Sequence, residues 1–289
     1  MSWRVVDLIA FDGEVHSGRG RIVVGDQEVV LEEIGSVLIG SKTRLSGGVI
    51  QLCAKHEIPI LTCDWKGVPV ACTFPWSENS KIAARFRAQI DTTIPQQKNA
   101  WMQIIKAKIS GQAANLEYVG HPSAGVLWEL SDRVRSGDPE NIEARAARTY
   151  WSSLYEKGTF ARHQGEREGI NSFLDYGYSI LRGAVVRAIC EAGLNPTIGI
   201  FHRHRSNPFC LADDLLEPFR PAVDYLTVSE LLGIGELNRD SKPILVSILS
   251  RPIGYSGETI QTSISQLTSR LAIYFEGRTR KLEVSSWKP

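Results

Sequence analysis

Residues 67–93 read GVPVACTFPWSENSKIAARFRAQIDTT, and two periodicities meet inside them. Gly67–Phe74 is a short Val-containing run that follows the turn tetrad Asp64-Trp65-Lys66-Gly67, and it reads as a strand. Pro75–Ser80 is a polar break led by proline. From Lys81 onward apolar residues recur three and four apart, the spacing of a helix. The fold class turns on this switch, because the chain is mainly strand on one side of it and mainly helix on the other.

Upstream, WRVVDLIAF (3–11), GRIVVGD (20–26) and QEVVLEEIGSVLIG (27–40) are rich in Val and Ile and broken by Gly and Asp, as strands are. LSGGVIQLCAKHEIPILTCD (45–64) predicts one short helix and then a buried strand, Ile58–Cys63. Downstream, QQKNAWMQIIKAKISGQAANLEYV (96–119) continues the helical spacing. Further helices are expected at Pro122–Ser136, Asn141–Lys157, Ile170–Gly193 and within 222–237 and 260–275. The expected architecture is α+β. A small N-terminal β domain (1–75) is followed by a linker (76–80) and a larger all-α C-terminal domain (81–289).

With 289 residues, 43% hydrophobic and 22% charged, the chain has the composition of a folded protein large enough for two units. There is no run of eighteen apolar residues, and MSWRVVDLIAFDGE carries charges where a signal peptide needs an apolar stretch, so a cytoplasmic protein without a membrane span is expected. Five cysteines without a CxxC pair point to reduced thiols rather than disulfides or a zinc cluster. Net charge is +1, but it is unevenly spread: residues 1–75 hold seven Lys/Arg against nine Asp/Glu, while 81–110 hold six basic groups against Asp91 alone. Such a stripe suits a polyanion tracked along one surface, or equally a solvated helix face.

Two regions carry candidate chemistry. In NIEARAARTYWSSLYEK, Glu143 shares a helical stripe with Ala146, Ala147, Tyr150 and Leu154, which sets a carboxylate on the inward face; a first-turn acid favoured by the helix dipole is the plainer account. In FHRHRSNPFCLADDLLEPFRP (201–221), two histidines and three carboxylates crowd together. Asp214 and Glu217 have capping-box spacing, which Pro218 weakens, and a helix that starts later with prolines in its first turn would leave these acids near its entrance. Carboxylates with one imidazole suit Mg²⁺ or Mn²⁺ better than zinc, and arginines around them suit phosphate. Spacing alone leaves their convergence open.

The same residues resemble a known family. TRLSGGVIQLC, IPILTCDWKGVP, WMQIIKAKISGQ, IEARAARTYW and the long run INSFLDYGYSILRGAVVRAICEAGLNPTIGIFHRHRSNPFCLADDLLEPFRP are similar to the CRISPR-associated protein 1 family, closest to compact members of type II systems. The resemblance implies an integrase of antiviral defence in a prokaryotic cytoplasm. Such an enzyme inserts new spacers into the CRISPR array by attack of a 3′-hydroxyl on repeat phosphodiesters, with associated endonuclease activity. It implies a Mg²⁺ or Mn²⁺ site of Glu143, His202 and Glu217, with Asp214 supporting or joining it and Asp213 a weaker candidate. Arg145, Arg148, Arg203, Arg205, Lys81 and Arg85 are then expected to meet DNA. The implied partners are double-stranded DNA (prespacer and repeat), a second copy of the chain held through the β domain, CRISPR-associated protein 2 in a heterohexamer-type complex, and the type II effector nuclease. A nuclease that cleaves without joining, and a DNA scaffold whose acids only cap helices, are the rival readings.

Overall fold

The computed structural model describes residues 4–65, 67–74, 81–155, 160–163, 165, 168–234, 237–254 and 257–289. The linker expected at 76–80, Lys66 of the turn tetrad and Lys157 at the end of one predicted helix lie outside the described residues.

The N-terminal part contains β1 (Arg4–Leu8), β2 (Gly13–Gly18), β3 (Arg21–Val24), β4 (Gln27–Val30), β5 (Ile34–Ile39), β6 (Thr43–Leu45), α1 (Gly47–Lys55), β7 (Ile60–Cys63) and β8 (Pro69–Thr73). They make two four-stranded sheets, ordered β1-β5-β7-β8 and β4-β3-β2-β6. In the first, β5 pairs parallel with both β1 and β7, and β8 closes the edge antiparallel to β7. In the second, β3 and β4 form a hairpin whose two-residue turn begins at Gly25, held at φ +58°, where a side chain would be strained. Val15, Ile22, Ile34, Val37, Val49 and Ile60 draw one core from both sheets and α1.

The strands differ from the sequence pattern in three places, one of them the unexpected short strand β6. GEVHSG forms β2 although only Val15 in it is buried, so no alternation marks it. QEVVLEEIGSVLIG is two strands, parted by a 3₁₀ turn at Leu31–Glu33.

The helical part comprises α2 (Ile82–Ile90), α3 (Ile94–Tyr118), α4 (Ala124–Arg133), α5 (Ile142–Leu154), α6 (Gly169–Glu191), α7 (Cys210–Leu215), α8 (Arg220–Ser229), α9 (Ser241–Val246) and α10 (Ile260–Phe275). Thr93 and Gln96 cap α3 reciprocally, with Pro95 in its first turn. α3 then runs through the middle of the body, packed by α4, α5 and α8, and is largely buried from Trp101 to Leu116. α6 is the second long helix and packs against α8, α9 and α10. A β-carbon on Gly177 of α6 would stand 2.4 Å from Val223 Cγ1 of α8, so glycine permits that crossing. α6 also meets β5 and β8, and Leu38, Leu61 and Cys63 join the helical core. Among the described residues no helix is long and apolar enough to cross a membrane.

Candidate active site

Three chain segments converge on one side of α3. The first is the start of α5. Asp138 accepts hydrogen bonds from the backbone N–H groups of Ile142 (2.8 Å) and Glu143 (2.9 Å), which satisfies two orphan donors of the first turn. Glu143 then reaches α3, where its Oε1 lies 2.6 Å from the Lys108 ammonium. The inward-facing carboxylate is thus paired, as its burial requires.

The second segment is Gly199–His202, shaped by Asp214 of α7. Asp214 is fully buried. Its carboxylate accepts from the N–H groups of Ile200 (2.5 Å), Phe201 (3.0 Å) and His202 (3.1 Å), and its Oδ1 lies 2.7 Å from His202 Nδ1. A β-carbon on Gly199 would fall 2.3 Å from the His202 carbonyl oxygen and 2.9 Å from Asp214 Oδ2, so the turn needs glycine. The Phe201 ring stacks on Trp101 at 4.2 Å, and both rings meet the imidazole edge-on. The Asp214 hydrogen bond raises the His202 pKa, against the opposing effect of burial. With Nδ1 occupied, Nε2 is the ring nitrogen left to act on a ligand.

The third segment is the 3₁₀ turn Glu217–Phe219 between α7 and α8. Pro221 stands in the first turn of α8, so the helix does begin late with proline at its entrance. Glu217 is buried; its Oε1 accepts from Arg220 Nε (2.8 Å), and its Oε2 lies 2.6 Å from the Lys108 ammonium without an aligned hydrogen bond. Burial pushes this carboxyl up, but the charges of Arg220 and Lys108 outweigh it and hold the group at about 2.

Behind these residues lies a buried polar chain. The Arg220 guanidinium sits 4.5 Å from the centre of the Tyr178 ring. Tyr178 and Tyr150 (3.0 Å) donate to the two oxygens of Asp224, Asn115 Nδ2 donates to Tyr150 (2.8 Å), and Trp287 Nε1 donates to Asn115 Oδ1 (2.8 Å). Burial lifts the Asp224 carboxyl to about 6, against the pull of the two tyrosine hydroxyls.

His202, Glu217 and Lys108 line a cleft of about 770 Å³ together with Arg162, Arg182 and Arg220. Arg162 is paired with Asp175, and Arg182 donates to Asp213 (2.7 Å). Asp213, which also accepts from Asn207 Nδ2 (2.6 Å), therefore anchors an arginine at the cleft wall. A second cleft of similar volume, lined by Ile94, Arg203, His204 and Arg205, shares His202 alone with the first among the described residues. Among the described residues no three His, Cys, Asp or Glu side chains stand close enough together to hold a metal ion; Lys108 lies against both Glu143 and Glu217.

The residues expected to meet DNA are dispersed. Arg145 and Arg148 are exposed on the outer face of α5, Lys81 is exposed ahead of α2, and Arg203 and Arg205 lie at the second cleft. Arg85 differs from the expectation. It is 22% exposed and bonded to Glu276 Oε1 (3.1 Å) and the Ala192 carbonyl (2.7 Å), so it ties α2 to α10 and to the end of α6. Sequence reasoning passes over Arg162, Arg182, Arg220 and Asp224, and it places Lys108 in the 81–110 basic stripe, expected along a polyanion or on a solvated helix face, whereas the structure sets it between Glu143 and Glu217. Only Arg220 carried a local signal, three residues after Glu217.

Comparison with known proteins agrees with this fold. Residues 12–241 match the family model for CRISPR associated protein Cas1. The chain is 33% identical over 262 residues to a CRISPR-associated endonuclease Cas1 of Neisseria meningitidis serogroup C, covering 88% of this chain and 84% of that protein. It is 25% identical over 301 residues to a CRISPR-associated endonuclease Cas1 of Pyrobaculum aerophilum, covering 94% and 97%. In fold it is similar to a casposase bound to integration product (TM-score 0.66, 22% identity, 98% of both chains) and to a chain of a partial Cas6-RT-Cas1–Cas2 complex (TM-score 0.69, 15% identity, 99% of both). The molecule is thus an α+β protein with a small β module on a helical body. It belongs to the CRISPR associated protein Cas1 family.

Proposed function

We propose that the chain is a divalent-metal-dependent DNA integrase with associated endonuclease activity, which inserts spacers into a CRISPR array in the prokaryotic cytoplasm. The observation that carries this reading is the convergence of Glu143 Oε1 and Glu217 Oε2 on a single positive charge, in a site where Asp214 engages His202 at Nδ1 and not at Nε2. Two hard anionic oxygens and one imidazole nitrogen suit Mg²⁺ or Mn²⁺, so the donor set fits the implied ion. Glu143, His202 and Glu217 would hold it. Asp214, with its oxygens engaged by residues 200–202, would orient His202 rather than ligate.

The reaction joins a fragment 3′-hydroxyl to a repeat phosphate. The new P–O bond forms as the bond to the old 3′-oxygen breaks, and that oxygen leaves with a proton, so the number of phosphodiesters is unchanged. Bound in the cleft, the ion would acidify the attacking hydroxyl and offset charge at phosphorus. Arg162, Arg182 and Arg220 offer donors to phosphate oxygens along the cleft. Arg220 also keeps Glu217 ionised and in place.

The solved Cas1–Cas2 assemblies among its fold neighbours support work with CRISPR-associated protein 2, and we extend the partnership to a second copy of the chain, double-stranded DNA and a type II effector nuclease. A labelled fragment incubated with a supercoiled repeat plasmid and Mg²⁺ or Mn²⁺ tests the reading. Joined product is expected from the wild type and none from His202→Ala or with EDTA. Cleavage without joining would favour a plain nuclease, and joining by His202→Ala would sink the assignment.

A further inference from the structure

Lys108 stands where a cation is wanted. Its helix, α3, is largely buried over this stretch, so the lysine stem is confined and the side chain is only 13% exposed. The ammonium lies 2.6 Å from Glu143 Oε1 and 2.6 Å from Glu217 Oε2, two carboxylates delivered by different elements. A lysine that merely neutralised one acid would need one of them. One turn along the same face of α3, Gln112 is 3% exposed, and its Oε1 has no hydrogen-bond partner among the described residues. A buried amide oxygen is rarely left without a donor. Both side chains line the cleft, so the helix offers the ammonium a second acceptor.

We propose that Lys108 is the cation of the metal-free site: it holds Glu143 and Glu217 together until a divalent ion binds, then turns along α3 to Gln112 Oε1. This rests on the metal-dependent reading above. Two neighbouring carboxylates without a cation repel each other, and the lysine removes that repulsion while keeping both acids aimed at one point. The same contact makes the lysine a competitor, so metal loading is an exchange of cations. No covalent bond changes: the ammonium leaves two carboxylates and donates to an amide carbonyl instead.

Lys108 is therefore a positioning residue, and its test does not depend on catalysis. Mn²⁺ titration calorimetry and thermal melts in EDTA are run on wild type, Lys108→Met, Lys108→Gln and Gln112→Leu, in mildly alkaline buffer. Both Lys108 variants should melt lower in EDTA yet bind Mn²⁺ at least about tenfold tighter, the factor that corresponds to one charge-assisted bond no longer broken. Gln112→Leu should bind Mn²⁺ several-fold more weakly, with no loss of melting temperature in EDTA. Wild type that takes up no Mn²⁺ would sink the metal reading itself. Wild type that binds Mn²⁺, with Lys108 variants no tighter or with Gln112→Leu unchanged, would overturn this proposal and leave that reading standing.

Discussion

One carboxylate of Asp214 holds both the ring of His202, 2.7 Å from Nδ1, and the backbone N–H groups of residues 200–202. The loop conformation and the imidazole orientation therefore have the same cause. Asp214→Asn keeps one acceptor oxygen and loses the charge, so Mn²⁺ affinity should fall about 10–100-fold while the protein still folds. Asp214→Ala strands the backbone donors and should cost about 2–4 kcal/mol in urea unfolding. An unchanged calorimetric affinity for Asp214→Asn would remove its orienting role.

Asp224 makes stability depend on pH in an unusual direction for an acid. Its carboxyl rises from 3.8 to about 6, first through burial. Between those values the folded state keeps a proton that the unfolded state releases, so the associated stability is full below the lower value and is lost as pH rises through 6. Asp224→Asn has no such proton. The unfolding free energy of the variant relative to wild type should grow by up to about 3 kcal/mol from pH 4 to pH 7. A flat difference across that range would show that Asp224 does not titrate there.

The arginines divide into two kinds with different expected phenotypes. Arg182 faces the cleft, so Arg182→Ala should weaken binding of duplex DNA and lower the salt slope of log K by about 1. Arg85 ties α2 to Glu276 and Ala192, so Arg85→Ala should cost about 1–3 kcal/mol of stability and leave the slope alone. Binding isotherms across a salt series, with denaturation in parallel, separate the two.

Gly177→Ala should destabilise more than the usual helix gain from alanine would offset. Its new methyl would press on Val223 at 2.4 Å, and overpacking of this kind costs about 1–3 kcal/mol. The smaller double variant Gly177→Ala/Val223→Ala should recover most of that loss in thermal melts, and a failure to recover would place the strain elsewhere.

How much of this was legible in the chain depends on the residue. The strand-to-helix switch near Phe74 follows from periodicity, and α10 runs over the residues its spacing predicts. Lys108 was hidden by the run of basic residues around it. Charge marks a residue as basic but not as inward, and only the burial of α3 turns this one toward the acids. Likewise α7 is six residues long, too short for a helical period to declare itself, yet it is the element that carries Asp214. Arg162 and Arg182 reach the cleft through tertiary packing, for which spacing holds no signal.

α6 belongs to both halves of the molecule. Near its middle a β-carbon on Gly183 would approach the Gly67 carbonyl of the β7–β8 turn to 3.3 Å, while neighbouring turns of the same helix carry Tyr178 and Arg182 into the cleft. The helix is thus a support shared by the β7–β8 turn and the cleft wall, so a bulkier residue at Gly183 would press on the turn from the helix that also carries Tyr178 and Arg182.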